Sequence, residues 1–384
     1  MATLTIQGLT KRYGAKIAVD GLDLAVRDGE FFVILGPSGA GKTTTLKSVA
    51  GLIDTDTGEV SIAGRSMTGV EPYHRNVAMA FESYALYPQK TVYENLASPL
   101  RSGRTGTYSR AQQQERIEAV AGTLGLAGLL ERFPREMSNG QRQRVALGRV
   151  MVRPADVYLL DEPLSHLDAK LRAQMRVELK QLGAVQSTTS LYVTHDYQEA
   201  LALGDRIAVL RAGRLVQIGT PLMVWTRPAD TFVAKSLGQP EINLLRAEVA
   251  DGQLRAAAGT ITLPVPPGLD LPAGGRLQLG LRPGDLRLAP TGSTVDGTLS
   301  FDGAVRLSER LGRAVELTVD VGDELIIVLN EHGVGEGERV RLQIPLDQVH
   351  VFAAADGDDE APRLGSGAGR TNSSPEAALL GEDR

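Results

Sequence analysis

One octapeptide constrains this chain more than any other feature: Gly36-Pro37-Ser38-Gly39-Ala40-Gly41-Lys42-Thr43. It fits the G-x-x-x-x-G-K-[ST] pattern in full, follows an apolar run (Phe31–Leu35) and opens a helical pattern from Lys42 through Leu52. Glycines at these spacings let backbone N–H groups turn inward, so a strand, this turn and a helix N-terminus together form a cradle for phosphate. Lys42 would reach the β- and γ-phosphates of a nucleotide, and the Thr43 hydroxyl would help hold Mg2+.

A second element follows at Val157-Tyr158-Leu159-Leu160-Asp161-Glu162, an apolar strand ending in two carboxylates. Asp161 is expected in the Mg2+ shell and Glu162 as the general base for an attacking water. Many core strands end in an acid, so this element acquires meaning only after the phosphate loop.

Around these elements, residues 1–235 alternate short apolar runs with helical patterns such as Ala169–Leu182, which predicts an α/β fold on a largely parallel sheet. From about Leu244 to Phe352 the pattern changes to short β-type segments broken by Gly, Pro and Asp. Examples are Thr260–Pro264, Arg276–Leu281, Ala314–Val319, Glu324–Leu329 and Arg339–Ile344. That pattern predicts a small barrel or sandwich over 236–354. Residues 1–235 carry a net charge of +5, residues 236–354 one of −6 and residues 355–384 one of −4, which places a boundary near Lys235. The last stretch is rich in Gly, Ser, Asp and Glu and is expected to be a disordered acidic tail. A whole-chain charge of −5 argues against general nucleic-acid binding, and the absence of cysteine excludes thiolate metal sites and thiol chemistry. No apolar run is long enough to span a bilayer and the N-terminus lacks an export signal, so a soluble, intracellular chain is expected.

Between the two nucleotide elements stands Met137-Ser138-Asn139-Gly140-Gln141-Arg142-Gln143-Arg144. It resembles the signature motif of ABC ATPases, commonly Leu-Ser-Gly-Gly-Gln. Ser165-His166-Leu167-Asp168 resembles that family's D-loop, and Thr194-His195-Asp196 its switch with a γ-phosphate-sensing histidine. Tyr13 resembles the aromatic that stacks on adenine, and Phe81 through Pro88 the segment joining the core to the helical subdomain. Taken singly, His195 reads as a structural histidine and Tyr13 as an ordinary aromatic. The occurrence of all the elements in the family's order across residues 13–195 overturns those readings.

The resemblance implies a P-loop ABC ATPase domain with a helical subdomain at about 89–153, followed by a β-rich, OB-like (TOBE-type) regulatory domain. It implies ATP and Mg2+ as cofactors. Tyr13, the loop residues Gly36 to Thr43, and Thr44 would bind ATP, and Lys42, Glu162 and His195 would be catalytic. Thr43, Glu82 and Asp161 would hold the metal. Ser138, Asn139, Gly140, Gln141 and Asp168 would touch ATP across a dimer.

Ser83-Tyr84-Ala85-Leu86-Tyr87-Pro88, Thr91–Asn95, Tyr197–Ala200, Gly219-Thr220-Pro221 and Gly280-Leu281-Arg282-Pro283 are most similar to ATPase subunits of carbohydrate importers of the maltose and glycerol-3-phosphate type. In that group Ser83 to Pro88 would contact a permease. The implied partners are a second ATPase, identical or not, two transmembrane permease subunits and, indirectly, an extracytoplasmic solute-binding protein. The implied location is the cytoplasmic face of the membrane. A polyamine or ferric-ion importer, or an added regulatory role for the C-terminal domain, is the alternative.

Three positions depart from the family pattern. Glu82 stands for Gln and adds a negative charge, Asn139 replaces the first signature glycine, and His166 replaces the D-loop Asn. Asn tolerates left-handed backbone, so the signature turn is expected to survive. These departures fit either a subunit that pairs with a non-identical ATPase or drift in a homodimer.

Overall fold

The computed structural model describes residues 2–81, 86–101, 108–165, 167–186, 188–269, 271, 274–290, 292–354 and 361–369. Two compact units emerge, Met1–Pro221 and Leu222–Arg384. The division falls ahead of the boundary expected near Lys235, because the two short helices before that residue belong with the second unit.

In chain order the first unit runs β1 (Leu4–Tyr13), β2 (Lys16–Val26), β3 (Phe31–Leu35), α1 (Lys42–Ala50), β4 (Thr57–Ile62), β5 (Arg65–Ser66) and β6 (Val77–Ala80). Next come α2 (Val92–Ala97), α3 (Arg110–Thr123), α4 (Asn139–Met151), β7 (Val157–Asp161), α5 (Ala169–Gln186), β8 (Thr189–Thr194), α6 (Tyr197–Leu203), β9 (Arg206–Arg211) and β10 (Arg214–Gly219). An antiparallel sheet has the order β2-β1-β4-β5, and a second sheet the order β10-β9-β3-β8-β7-β6. In the second sheet β9, β3, β8, β7 and β6 are parallel, and β10 closes it as an antiparallel hairpin. Every residue of β3, β7 and β8 is buried, as expected for parallel strands covered on both faces. One core joins Leu4, Ile6 and Leu24 of the antiparallel sheet, Leu46 and Val49 of α1, and Phe32, Leu159 and Val193 of the parallel sheet. No strand lies between β6 and β7 among the described residues, so that interval is helical.

Strands β3, β8 and β7 are neighbours, with Leu35 paired to Thr194 and Val193 to Asp161. The phosphate loop, the switch turn and the carboxylate pair therefore leave the sheet side by side at its carboxyl edge, where ligands of open α/β sheets bind.

The second unit carries α7 (Pro221–Thr226), α8 (Thr231–Ser236), β11 (Asn243–Ala250), β12 (Gln253–Ala256), β13 (Ile261–Pro264), β14 (Arg276–Leu281), β15 (Arg287–Ala289), β16 (Thr298–Leu311) and β17 (Ala314–Val321). It ends with β18 (Glu324–Asn330), β19 (Arg339–Pro345), β20 (His350–Ala353) and β21 (Arg363–Ser366). Two antiparallel sheets, ordered β13-β12-β11-β14-β20-β21 and β15-β19-β16-β17-β18, pack through alternating apolar residues such as Leu245, Leu279, Phe301, Leu317 and Val351. Strand β21 corrects the expectation of a wholly disordered tail from residue 355. His350 pairs with Ser366 and Val351 with Gly365, and Leu364 packs on the core of this unit. No helix among the described residues is long and apolar enough to cross a membrane.

Candidate active site

The phosphate loop turns tightly because three of its glycines permit it. Gly41 has φ 98° and precedes α1, and a Cβ there would lie 2.4 Å from the carbonyl oxygen of Ala18. A Cβ at Gly36 would lie 2.5 Å from the carbonyl oxygen of Leu210. Any side chain at either position would force the backbone apart.

Lys42 is 5% exposed and folds back along this loop. Its Nζ donates to the carbonyls of Gly36 (2.8 Å) and Pro37 (3.1 Å) and lies 3.3 Å from Glu162 Oε1. The other carboxylate oxygen of Glu162 is 2.7 Å from His195 Nδ1. Glu162 adopts φ 44°, a left-handed conformation costing a non-glycine residue on the order of 1 kcal/mol. Its N–H donates to Val193 at 3.1 Å, and its carbonyl accepts from Ser165 Oγ at 2.9 Å. These bonds hold the turn where the strand ends.

Beside this chain, Thr43 Oγ1 donates to Asp161 Oδ1 at 2.9 Å. The hydroxyl and the buried carboxylate are both hard oxygen donors, the type Mg2+ prefers. Among the described residues no group of three or more His, Cys, Asp or Glu converges. Two protein oxygens would therefore leave the remaining positions to water and phosphate, which suits Mg2+ at a nucleotide site.

A cavity of about 370 Å3 opens above the loop, lined by Ser38, Gly39, Gly41, Lys42, Thr43, Thr44, Glu162 and Tyr13. Tyr13 is half exposed, with Lys11 Nζ 5.5 Å from its ring centroid, and its aromatic ring is of the kind that stacks on a base. Lys16 and Ala18 also line this cavity, and neither was anticipated from sequence. The available signal was the β1–β2 hairpin, in which Lys16 pairs directly with Tyr13.

The signature segment lies outside the cavity lining within this chain, as does Asp168. Ser138 is the N-cap of α4: its Oγ accepts from Gln141 N at 3.3 Å, and Gln141 Oε1 accepts from Ser138 N at 2.9 Å. Asn139 is therefore the first helical residue and has no positive φ, which corrects the expectation that left-handed tolerance matters there. Its side-chain oxygen instead accepts from Arg142. Asp168 Oδ1 accepts from Leu171 N at 2.9 Å and so starts α5.

Glu82, Ser83, Tyr84, Ala85 and His166 lie outside the described residues. Tyr87 is 40% exposed, with Lys90 Nζ 4.5 Å and the Arg149 guanidinium 4.8 Å from its ring. The buried Asn95 shapes this turn, accepting from Tyr87 N (2.9 Å) and donating to the carbonyls of Tyr87, Lys90 and Thr91.

The ABC transporter family matches residues 19–165, and the TOBE domain family matches residues 279–352. The sn-glycerol-3-phosphate import ATP-binding protein UgpC of Cupriavidus pinatubonensis is 43% identical over 375 residues, covering 93% of this chain and 99% of that relative. The chain belongs to the ABC transporter ATP-binding family. A UgpC of Vibrio vulnificus is 42% identical to this ABC ATPase over 351 residues, covering 91% of the chain and 93% of the relative. Among solved structures, the dimeric bacterial ABC transporter cassette MJ0796 matches with a TM-score of 0.53 and 28% identity, over 57% of this chain and 98% of that cassette. The same cassette in a post-hydrolysis state with ADP and Pi matches with a TM-score of 0.52 and 27% identity.

Proposed function

We propose that this ABC ATPase hydrolyses ATP to power an importer of sugars or sugar-like solutes, with glycerol phosphate, polyols and oligosaccharides as the solute class. The observation that carries the chemistry is the Glu162 carboxylate, held between Lys42 Nζ and His195 Nδ1 at the mouth of the phosphate loop. The import assignment is supported by relatives named sn-glycerol-3-phosphate import ATP-binding proteins, alike over nearly the whole chain.

In this reading Tyr13 stacks on adenine, and the loop N–H groups with Lys42 hold the β- and γ-phosphates. Thr43 and Asp161 hold Mg2+, which when bound neutralises phosphate charge. Glu162 takes the proton of the attacking water, and His195 orients that carboxylate through Nδ1. The signature residues Ser138 to Gln141 and Asp168, which lie outside this chain's own cavity, complete the site of a second ATPase across a dimer. The segment Ser83 to Pro88, which includes the exposed Tyr87 and follows the exposed Phe81, docks on a permease at the cytoplasmic membrane face.

The test is purification of tagged full-length chain from membranes, with identification of what accompanies it and assay of Mg2+-dependent ATP hydrolysis. Two permease subunits, with hydrolysis lost in Lys42→Ala, support the reading. Recovery without any membrane protein removes the import assignment, and unaltered hydrolysis in Lys42→Ala removes the site.

A further inference from the structure

Behind the switch turn, away from the nucleotide cavity, lies a buried polar network that none of the roles above uses. Glu199, on α6, is 2% exposed. A single carboxylate oxygen, Oε2, accepts from Tyr192 Oη at 2.8 Å and from Thr194 Oγ1 at 2.7 Å. Thr194 Oγ1 in turn accepts from the backbone N–H of Asp196 at 3.0 Å. The peptide segment carrying His195 is thus pinned on both sides, by the Thr194 hydroxyl and the Asp196 amide. Burial, eased by these two hydroxyl donors, raises the Glu199 carboxyl above its ordinary range.

The network continues to a second loop. Asp196 Oδ1 caps α6 by accepting from Gln198 N and Glu199 N, while its Oδ2 accepts from Arg172 Nη1 at 3.3 Å. Arg172 Nη2 donates to the carbonyl of Leu167 at 3.1 Å, and its Nε lies 4.0 Å from Glu199 Oε1. One planar guanidinium therefore spans the Leu167–Asp168 turn and the His195 turn. Lysine, with its single flexible ammonium, cannot reproduce that fork.

We propose that Glu199 and Arg172 are positioning residues for ATP hydrolysis: Glu199 fixes the turn that carries His195, and Arg172 ties that turn to the Leu167–Asp168 turn so that the two move as one piece. The inference rests on the reading of His195 and Asp168 given above. A buried acid serving stability alone would have no reason to be linked, through Asp196 and Arg172, to the turn that leads from β7 into α5. Here the network reaches Thr194 and Asp196, which flank His195, and Leu167, which precedes Asp168. Displacing such groups by about 1 Å can cost on the order of a hundredfold in rate without weakening substrate binding.

Full-length Glu199→Ala, Glu199→Gln, Arg172→Ala and the Arg172→Ala/Glu199→Ala double variant are compared for kcat, KM for ATP and melting temperature, with His195→Ala as reference. The expected result is a kcat about tenfold lower or more in Glu199→Ala and Arg172→Ala, with KM within about twofold. Glu199→Gln, whose amide oxygen still accepts both hydroxyls, should recover most of the rate. The double variant should lose no more than the worse single variant. If Glu199→Ala does not fold, Arg172→Ala decides, because that side chain is about one-third exposed. Wild-type kcat in Arg172→Ala, or a loss in which kcat, KM and melting temperature worsen together and Glu199→Gln gives no rescue, overturns the proposal. Wild-type turnover in His195→Ala would instead overturn the underlying site reading.

Discussion

Lys42 Nζ lies 3.3 Å from Glu162 Oε1, so the ammonium proposed to meet the phosphates and the carboxylate proposed to activate water face each other directly. The lysine is also committed to two carbonyls of its own loop. ATP would have to compete for an ammonium that already has three oxygen partners, and the carboxylate would turn toward His195 as the lysine is drawn to phosphate.

Glu162→Gln keeps the shape and the contact with His195 but cannot accept the water's proton. Single-turnover hydrolysis should fall on the order of a hundredfold or more, while nucleotide affinity is held or improved by removal of a negative charge near the γ-phosphate. Turnover close to wild type in that variant would remove Glu162 as the base.

Tyr13 is half exposed and contributes little to the core. Tyr13→Ala should weaken ATP binding by about 1–3 kcal/mol, the worth of a base stacked on an aromatic ring, with no change in melting temperature. Tyr13→Phe should bind as wild type. Fluorescent-nucleotide titration separates these outcomes, and equal affinity in Tyr13→Ala would place adenine elsewhere.

Asn95 is fully buried and ties down the turn from Tyr87 to Thr91. Asn95→Ala strands the Tyr87 N–H and removes the side-chain donor to the carbonyls of Tyr87, Lys90 and Thr91, so a loss of about 2 kcal/mol or more in unfolding free energy is expected. ATP affinity should change little, because the cavity above the phosphate loop does not include this turn. Denaturant unfolding together with nucleotide titration tests both halves of the prediction.

His350, on β20, is held down to about 3 from an ordinary 6.5, chiefly by burial and then by the Arg282 and Arg363 guanidiniums. The unfolded chain therefore binds the extra proton first as pH falls below 6.5, so this contribution to stability is complete above that value and shrinks toward pH 3. Between pH 6.5 and 5 the second unit should lose about 2 kcal/mol. Trp225, the chain's single tryptophan, lies in this unit with its ring 4.0 Å from the Arg282 guanidinium, so its fluorescence reports the transition. His350→Leu should flatten the pH dependence in that window, and an unchanged slope would assign it to other groups.

Much of the site was legible because its chemistry admits few residues. Lys42, Asp161, Glu162 and His195 could be named from spacing and resemblance, and strands such as Phe31–Leu35 from unbroken burial. Other features depend on partners far away in sequence. Strand β16 spans Thr298–Leu311 through Asp302 and Gly303, and a register shift between Val305 and Leu307 erases the alternation that would mark it. Strand β21 hides in a Gly- and Ser-rich stretch and forms because β20 offers it an edge. The Tyr192–Glu199–Arg172 network joins β8, α6 and α5, and no local pattern announces it. At Asn139 the turn is kept without the left-handed backbone that its side chain would tolerate. The Ser138 capping box draws Asn139 into the helix instead.

The neighbouring strands β3, β8 and β7 act as a common ruler for the loops they launch. Their hydrogen-bond ladders advance only in whole-residue steps of about 3.3 Å, and each step also reverses which face a side chain occupies. Inserting or deleting one residue inside β8 would therefore leave no slightly misaligned enzyme. It would carry His195 a full notch away from Glu162 and bring core side chains to the wrong face. The loops can vary in length and composition, whereas the spacing among the three reactive groups is digital.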